Sequence, residues 1–403
     1  MTTLLGADRD HVTRYLELGL ALGRHIDGLV DAYTGPAELA AKVAGQPPVE
    51  PFRLVDAART LLADLEVDAD LAPGRRSWIT AQVRGLLTTA GRLAGTPVAY
   101  ADEVEACYGV RPRMVPEELL ADAHRRLDAV LPGSGVLAER YGTWREAQAV
   151  PPDRLDAAVA SMADDLRERT DRRFGLPEGE RIDFELVTGR PWAGFNYYLG
   201  DLRSRVAINV DLPVLSPTLS HLVAHESYPG HHTEHCRKEV GLVRGRRWLE
   251  ETIFLVGTPQ CLVAEGLADL GLEVVVSADA GERAEMASAH LRPLAIPFDA
   301  DVVAQVATAA EGLQGVRGNV ALLLHEKGLD AGEAVAYAER WGLMPRLRAE
   351  KLVSFLTDAT WRAYITCYVE GLPLCRRYVA GDPARFERLL TEQLTPDQLA
   401  AGV

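Results

Sequence analysis

The segment Ser216-Pro-Thr-Leu-Ser-His-Leu-Val-Ala-His-Glu-Ser-Tyr-Pro-Gly-His-His-Thr-Glu-His235 decides how the centre of this chain folds. It holds five of the ten histidines, and a Pro-Gly step interrupts it. Ser216 followed by Pro217 is typical of a helix start, with serine as the N-cap and proline at the first helical position. The sequence therefore predicts a helix that begins here, carries the histidines and is distorted at Pro229-Gly230.

The histidines indicate a metal site, because a reactive zinc takes imidazole and carboxylate ligands and keeps one position for water. On a straight helix, His231 lies about 240° around the axis from His225, and His232 lies about 10 Å along it, so neither can share a metal with His225. Pro229 lacks the amide hydrogen that would bond the carbonyl of His225, and Gly230 permits a bend. We predict His225 and His231 as ligands, with His232 as the alternative ligand or a polar group that contacts substrate.

Two regularly spaced pairs compete with this choice, namely His221 with His225 and His231 with His235. Residues four apart on a helix can reach one ion, so each pair satisfies simple helix geometry. Neither pair explains why a Pro-Gly step lies inside the cluster.

Glu226 adjoins the first predicted ligand and projects about 100° away from it around the helix. A zinc ion brings the pKa of its water close to about 7, and a carboxylate nearby can take the proton and pass it to a leaving amine. Glu226 is therefore the predicted general base.

A third ligand is predicted within the apolar segment 261–273. Glu265 has apolar neighbours on both sides there, and Asp269 and Glu273 repeat on the same helix face. A carboxylate in such surroundings needs a compensating partner. Zinc ligation by Glu265, with Asp269 orienting a ligand histidine, supplies one. The alternative is a solvent-facing acidic stripe on an amphipathic helix.

The rest of the chain predicts a mainly α fold. Apolar residues recur at helical spacing, and Pro/Gly clusters at 45–51, 72–74, 110–112, 131–135 and 150–152 separate the helices. Short aromatic and β-branched segments at 183–187, 194–199 and 205–210 predict a small β-meander directly before the metal helix. Further helices or broken helices are predicted at 246–256, 261–276, 300–327, 331–341 and 346–379. With 403 residues, the chain predicts two lobes, an N-terminal helical lobe at 1–180 and a catalytic lobe at 181–403.

Composition limits the partners. The chain has 43 Lys plus Arg against 58 Asp plus Glu, and this formal charge of -15 disfavours a nucleic acid or an anionic membrane as partner. It begins without a secretory signal and has no span of about 18 to 20 apolar residues, so we expect a soluble cytoplasmic protein. The five cysteines are scattered without a CxxC spacing, which predicts buried free thiols.

Two motifs carry a resemblance to a known family. His225-Glu-Ser-Tyr-Pro-Gly-His-His232 and Glu265-Gly-Leu-Ala resemble the HExxPGHH and EGxA signatures of the bacterial family catalogued as domain of unknown function 885. The resemblance begins at 205–210, which looks like the strand before the metal helix. It extends to 361–371, and that segment is similar to the family's late helix with its Tyr-x-x-Gly element. That family is regarded as similar to zinc metallopeptidases of the gluzincin type, which are mostly helical. The resemblance implies a metallopeptidase-like fold, Zn²⁺ as cofactor, and two His and one Glu as ligands.

The same resemblance implies further site residues. Tyr368 matches the late tyrosine, whose phenol can donate to the oxyanion of a tetrahedral intermediate. The strand at 206–210 is expected to lie beside the cleft and to pair with an extended substrate backbone. Asn209 and Arg376 are candidate substrate contacts.

Together these features predict a zinc-dependent hydrolase that cleaves a peptide bond with metal-activated water. Two alternatives stay open. One is a zinc hydrolase that acts on a small non-peptide amide, and the other is a non-catalytic helical protein whose metal is structural and fully coordinated. The expected partner is therefore a peptide or a small amide substrate.

Overall fold

The computed structural model describes residues 6–190 and 192–402. Within them the chain forms nineteen α-helices and five β-strands, so the fold is mainly α, as predicted. The helices are α1 (Gly6–Leu22), α2 (Ala37–Ala44), α3 (Pro51–Val67), α4 (Pro73–Leu93), α5 (Tyr100–Tyr108), α6 (Glu117–Val130), α7 (Leu137–Glu146), α8 (Pro152–Phe174), α9 (Ser216–Glu226), α10 (His231–Lys238), α11 (Pro259–Val275), α12 (Ala280–Leu291), α13 (Ala300–Ala310), α14 (Val316–Glu326), α15 (Ala331–Gly342), α16 (Arg346–Thr357), α17 (Ile365–Val379), α18 (Pro383–Thr391) and α19 (Pro396–Ala401). The strands are β1 (Val30–Tyr33), β2 (Arg181–Val187), β3 (Gly194–Gly200), β4 (Arg203–Asn209) and β5 (Ile253–Leu255). Short 3-10 or π turns occupy Glu239–Gly245, Leu249–Thr252, Arg292–Leu294 and Glu311–Gly315.

Proline and glycine define the ends of the early helices. Each of the five predicted Pro/Gly clusters falls at a boundary between two helices of α2 to α8. Pro51, Pro73 and Pro152 begin α3, α4 and α8, where the missing N–H is not needed for a helical hydrogen bond. α9 begins at Ser216 as predicted, but Leu215 is its N-cap, and the buried Ser216 hydroxyl makes no hydrogen bond.

One predicted helix, at 246–256, is wrong. This segment contains a 3-10 turn followed by β5, which pairs antiparallel with β1. Ile253, Phe254 and Leu255 are apolar and buried, and two of them are β-branched or aromatic, so they fit a strand as well as a helix. Pairing with a partner more than 200 residues earlier decides between the two, and no local pattern records that partner.

Three predicted strands form a sheet, but the sheet is not a meander. Its order is β2–β4–β3, with β4 parallel to β2 and antiparallel to β3. β4 takes the central position because its residues Val206, Ala207 and Ile208 are all about 1% exposed, which suits a strand covered on both sides. Both edges of β4 are therefore occupied, and β2 and β3 are the edge strands.

The two predicted lobes share one interior. β1 lies in the range 1–180 and pairs with β5 in the range 181–403. Buried side chains of both ranges, such as Trp78 and Leu267, belong to a single hydrophobic cluster. The division near residue 180 stays a prediction. All five cysteines are buried and free, as expected. No described helix is both long and apolar enough to cross a membrane.

α11 and α17 cross at a contact between two glycines. A Cβ on Gly266 would lie 2.4 Å from the carbonyl oxygen of Gly371, and a Cβ on Gly371 would lie 2.8 Å from the carbonyl oxygen of Leu262. No larger residue fits at either position without moving a backbone. This close approach brings Glu265, the neighbour of Gly266, beside the tyrosines that precede Gly371.

Candidate metal centre

The helix that carries the histidines is broken at the predicted step. α9 ends at Glu226 and α10 begins at His231, and the Gly230 N–H donates to the carbonyl oxygen of Ala224 at 3.0 Å. A Cβ on Gly230 would lie 1.9 Å from the carbonyl oxygen of His225. The bend therefore requires glycine at this position. It brings Nε2 of His231 to 3.1 Å from Nε2 of His225.

Gly230→Ala is expected to destabilise the protein by about 3 kcal/mol or more, because overpacking against a backbone that cannot retract is costly. Urea unfolding followed by circular dichroism measures this loss. Gly241→Ala is the matched control, since a Cβ there meets nothing within 4 Å and the stability should hold or rise. Equal stability of the two variants would contradict the requirement for glycine in the bend.

Glu265 completes a group of three possible ligands. Its Oε2 lies 3.3 Å from His225 Nε2, and its Oε1 lies 3.7 Å from His231 Nε2. One ligand atom from each of the three residues lies within 4.8 Å of the other two. Oε2 of Glu265 is buried and accepts no hydrogen bond from a described residue. Two ring nitrogens and an unsatisfied carboxylate oxygen that converge in this way fit a divalent cation.

Asp269 orients the first histidine, as the sequence predicts. Nδ1 of His225 lies 2.8 Å from Oδ1 of Asp269, and Nε2 of His221 lies 3.2 Å from the same oxygen. Burial opposes the charged form of Asp269, but the hydrogen bonds from His221 and His225 prevail and lower its pKa. Asp269 contacts Nδ1, so Nε2, which faces His231 and Glu265, is the ring nitrogen of His225 that can bind a metal.

Asp269→Asn is expected to weaken zinc binding about 10- to 100-fold, because the partner that fixes a ligand histidine has an effect of that size. Competition with a chromophoric chelator measures the affinity. Glu273→Gln is the control, since Glu273 lies one turn later on α11 and pairs with Arg376. If both variants bind zinc as tightly as the wild type, Asp269 does not act through His225.

A second group, His221, His225 and Asp269, also brings three possible ligand atoms together. It lies on the other side of the His225 ring and is half-exposed at His221. The hydrogen bonds from His221 and His225 to the Asp269 carboxylate account for both contacts within this group, so no metal is needed to explain the group. His235, of the other alternative pair, stacks on Tyr198 with ring centroids 4.7 Å apart and lies outside both groups.

His232 lies outside the group of three ligands. Its side chain is fully buried, with Nδ1 at 2.8 Å from the Ser204 hydroxyl and Nε2 at 2.8 Å from Oε2 of Glu180. The same Glu180 oxygen accepts a hydrogen bond from the Tyr228 hydroxyl at 2.6 Å. His232 therefore connects the bend to Ser204 and Glu180. Its position gives no support to the prediction that it serves as a ligand or contacts substrate.

Glu226 is the last residue of α9, and its side chain lies beside Gly194 at the start of β3. Its side chain is 6% exposed, and an ideal Cβ on Gly194 would lie 2.9 Å from its Oε1. Burial raises the pKa of Glu226 to about 7, and the negative charges of Glu265 and Asp31 add to this effect. Its carboxylate makes no hydrogen bond to a described residue, so it is available to accept one from a bound molecule.

Two tyrosines of the 361–371 segment pack together, and one of them contacts Glu265. The Tyr364 hydroxyl donates to Oε1 of Glu265 at 2.6 Å. The ring of Tyr368 lies 5.5 Å from that of Tyr364, centroid to centroid. Burial raises the pKa of Tyr368, and the charges of Glu265 and Glu226 raise it further, so its phenol stays protonated.

Two predicted substrate contacts are engaged elsewhere. The Asn209 amide donates to the carbonyl oxygens of Arg190 and Trp192, so it fixes the loop between β2 and β3. Arg376 forms ion pairs with Glu273 and Glu311 and lies outside the group of ligands. The predicted pairing of substrate with β4 is wrong, because β4 has no open edge. β3, which begins at Gly194 beside Glu226, is an edge strand.

Tyr364 and Asp31 are two site residues that the sequence did not predict. Tyr364 is four residues before Tyr368, so helical spacing from the predicted tyrosine would have identified it. Asp31 lies on β1, where burial and the charge of Glu265 raise its pKa to about 7. It reaches the site through the pairing of β1 with β5, and a single aspartate in a short strand gives no sequence signal for that.

Comparisons with known proteins give a fold but no family. No family model and no curated protein matches this chain. A candidate lipoprotein from Colwellia psychrerythraea matches with a TM-score of 0.51 and 13% identity, over 91% of this chain and 68% of that chain. A candidate lipoprotein of unknown function from Shewanella oneidensis matches with a TM-score of 0.45 and 11% identity, over 90% and 75%. Trypanosoma cruzi metallocarboxypeptidase 1 matches with a TM-score of 0.40 and 14% identity, over 98% and 94%. The first match shows a similar fold alone, and the other two are too distant to support a conclusion.

Proposed function

We propose that this protein is a zinc-dependent hydrolase that cleaves peptide or related amide bonds. The observation that carries the proposal is the convergence of His225 Nε2, His231 Nε2 and the Glu265 carboxylate, one buried oxygen of which accepts no hydrogen bond from the part of the chain that the structure describes. Three protein ligands are typical of catalytic zinc, whereas structural zinc has four. The motif resemblance to the domain of unknown function 885 family is consistent with the same ligands.

The charges around the group also support a cation. Burial raises the pKa of Glu226 and of Asp31 to about 7, and the negative charge of Glu265 adds to the rise of both. A bound cation would offset the repulsion among these carboxylates. When bound, zinc would supply Lewis acidity toward an amide carbonyl and would lower the pKa of water to about 7.

The surrounding side chains have separate roles in this proposal. Glu226 takes a proton from the attacking water and delivers it to the leaving amine, since its carboxylate is buried and free of hydrogen bonds to described residues. Tyr364 holds Glu265 in place through its hydroxyl. Tyr368 donates a hydrogen bond to the developing oxyanion, because its phenol stays protonated beside Glu265 and Glu226.

Digestion of a peptide mixture followed by mass spectrometry tests the proposal. The zinc-loaded protein should cleave peptides, chelation should stop cleavage, and added zinc should restore it. A panel of small amides is run in parallel, so that hydrolysis of an amide without cleavage of peptides identifies the substrate as non-peptide. Absence of hydrolysis in both arms, with zinc bound, would refute the proposed function.

A further inference from the structure

Three arginines that form no ion pair with a described residue lie on helices close to the candidate site. Arg145 is in the last turn of α7, Arg317 is in the first turn of α14, and Arg348 is in the first turn of α16. Each is partly buried. Among the residues that the structure describes, Arg317 donates to the Gln314 side chain at 3.0 Å and Arg145 lies over the Tyr141 ring, but none of the three forms an ion pair.

The helices that carry these arginines meet around the site. The segment after α7 bonds to the start of α9, with the Ser216 N–H donating to the carbonyl oxygen of Gln148 at 2.9 Å. This contact places Arg145 near the helix of His221 and His225. Leu343, which immediately follows α15 and precedes α16, packs in one hydrophobic cluster with Tyr141 of α7. The start of α16 is therefore adjacent to α7.

Arg317 is on the side of the site formed by α11 and α17. An ideal Cβ on Gly318, its neighbour, would lie 3.3 Å from the Val369 side chain, and Val369 follows Tyr368. The charges of Asp269 and Tyr368 also act on the Arg317 guanidinium. Arg317 is therefore on a helix that packs against the segment of Tyr368.

The three guanidinium groups repel one another. Burial lowers the pKa of Arg348, and the positive charges of Arg145 and Arg317 lower it further. Burial lowers the pKa of Arg317, against the opposite effect of Asp269 and Tyr368, and Arg145 lowers it further. Such a cluster is unexpected in a chain with a formal charge of -15, where an acidic partner is easily supplied. A bound anion would relieve this repulsion.

We propose that Arg145, Arg317 and Arg348 form a subsite that binds a carboxylate of the substrate next to the metal centre. The assignment of the anion to a substrate rests on the proposed function, whereas anion binding itself does not. Guanidinium groups bind carboxylates with two parallel hydrogen bonds, and burial strengthens such contacts. For a peptide, the carboxylate comes either from the C-terminus or from an acidic side chain.

Calorimetry with a matched pair of small amides tests the subsite without turnover. Hippurate and hippuramide have nearly the same size, and only hippurate carries a carboxylate. The zinc-loaded Glu226→Gln protein should bind hippurate about tenfold or more tightly than hippuramide, which is the expected effect of a charged hydrogen bond. Arg348→Gln or Arg317→Gln, added to this protein, should remove the preference, and Arg348→Lys should restore part of it.

Arg346→Gln is the matched control. Arg346 is on the same helix, is exposed, and pairs with Glu350 at 2.9 Å, so its loss should leave the preference for hippurate unchanged. Circular dichroism melting checks that each variant is folded. Equal binding of hippurate and hippuramide by the parent protein, or an equal loss in Arg346→Gln and Arg348→Gln, would overturn the subsite.

Peptides then identify the source of the carboxylate. Three peptides of one length are compared, with a free C-terminus, with a C-terminal amide, and with a C-terminal amide plus one glutamate in place of glutamine. A tenfold gain in kcat/KM for the first indicates the C-terminal carboxylate, and a gain for the third indicates an acidic side chain. Equal kcat/KM for all three, together with normal peptide cleavage, would refute the subsite and leave the proposed function intact.

Discussion

Glu226→Gln is expected to reduce amide hydrolysis about 10²- to 10⁴-fold while zinc stays bound, because a general base has an effect of this size. Glutamine has nearly the same shape as glutamate but cannot take the proton. Glu226 lies against Gly194 and is not one of the three residues whose ligand atoms converge. Single-turnover kinetics and the zinc content of the same preparation measure the two expected results.

Glu66→Gln is the control for this variant, since Glu66 is exposed on α3 and far from the group of ligands along the chain. It should hydrolyse substrate as the wild type does. Full activity of Glu226→Gln would remove Glu226 from the mechanism. Loss of zinc together with activity would show instead that Glu226 contributes to metal binding.

His231→Ala is expected to weaken zinc binding about a hundredfold or more. Zinc sites with four ligands bind with about 10–16 kcal/mol, so each ligand contributes on the order of 3 kcal/mol. Hydrolysis at limiting zinc should fall in parallel. Competition with a chromophoric chelator at several zinc concentrations gives the affinity, and circular dichroism confirms that the variant is folded.

His221→Ala distinguishes the two groups of possible ligands. His221 is half-exposed and contacts Asp269, and it belongs only to the group of His221, His225 and Asp269. If His225, His231 and Glu265 hold the metal, this variant should keep its zinc affinity to within about threefold, since it loses only one exposed hydrogen bond to the orienting carboxylate. The reverse pattern, with zinc lost in His221→Ala and kept in His231→Ala, would assign the metal to the other group.

The helical part of the fold was largely predictable, because its signals are local. Prolines mark the starts of α3, α4 and α8, and apolar periodicity marks the helices between them. Strand order was not predictable. The segments of β2, β3 and β4 were identified, but the position of β4 between the other two depends on burial on both sides. The pairing of β1 with β5 joins segments too far apart in sequence for any local pattern.

The convergence of His225, His231 and Glu265 was predictable because the chain departs from an ordinary helix at two residues. Proline and glycine inside a histidine cluster require a bend in the helix. Only a few histidines follow that bend closely enough for their side chains to approach His225. The choice between His231 and His232 was not settled by spacing alone. In the structure the Glu180 carboxylate contacts His232 away from the group of three, and Glu180 precedes His232 by 52 residues.

The most direct test of the account is a crystal structure of the zinc-loaded protein with anomalous scattering data at the zinc edge. The account predicts one strong anomalous peak about 2.0–2.2 Å from His225 Nε2, His231 Nε2 and a carboxylate oxygen of Glu265, with water at the remaining position. A peak between His221 and Asp269, a fourth protein ligand in place of water, or no peak near His225 would contradict it.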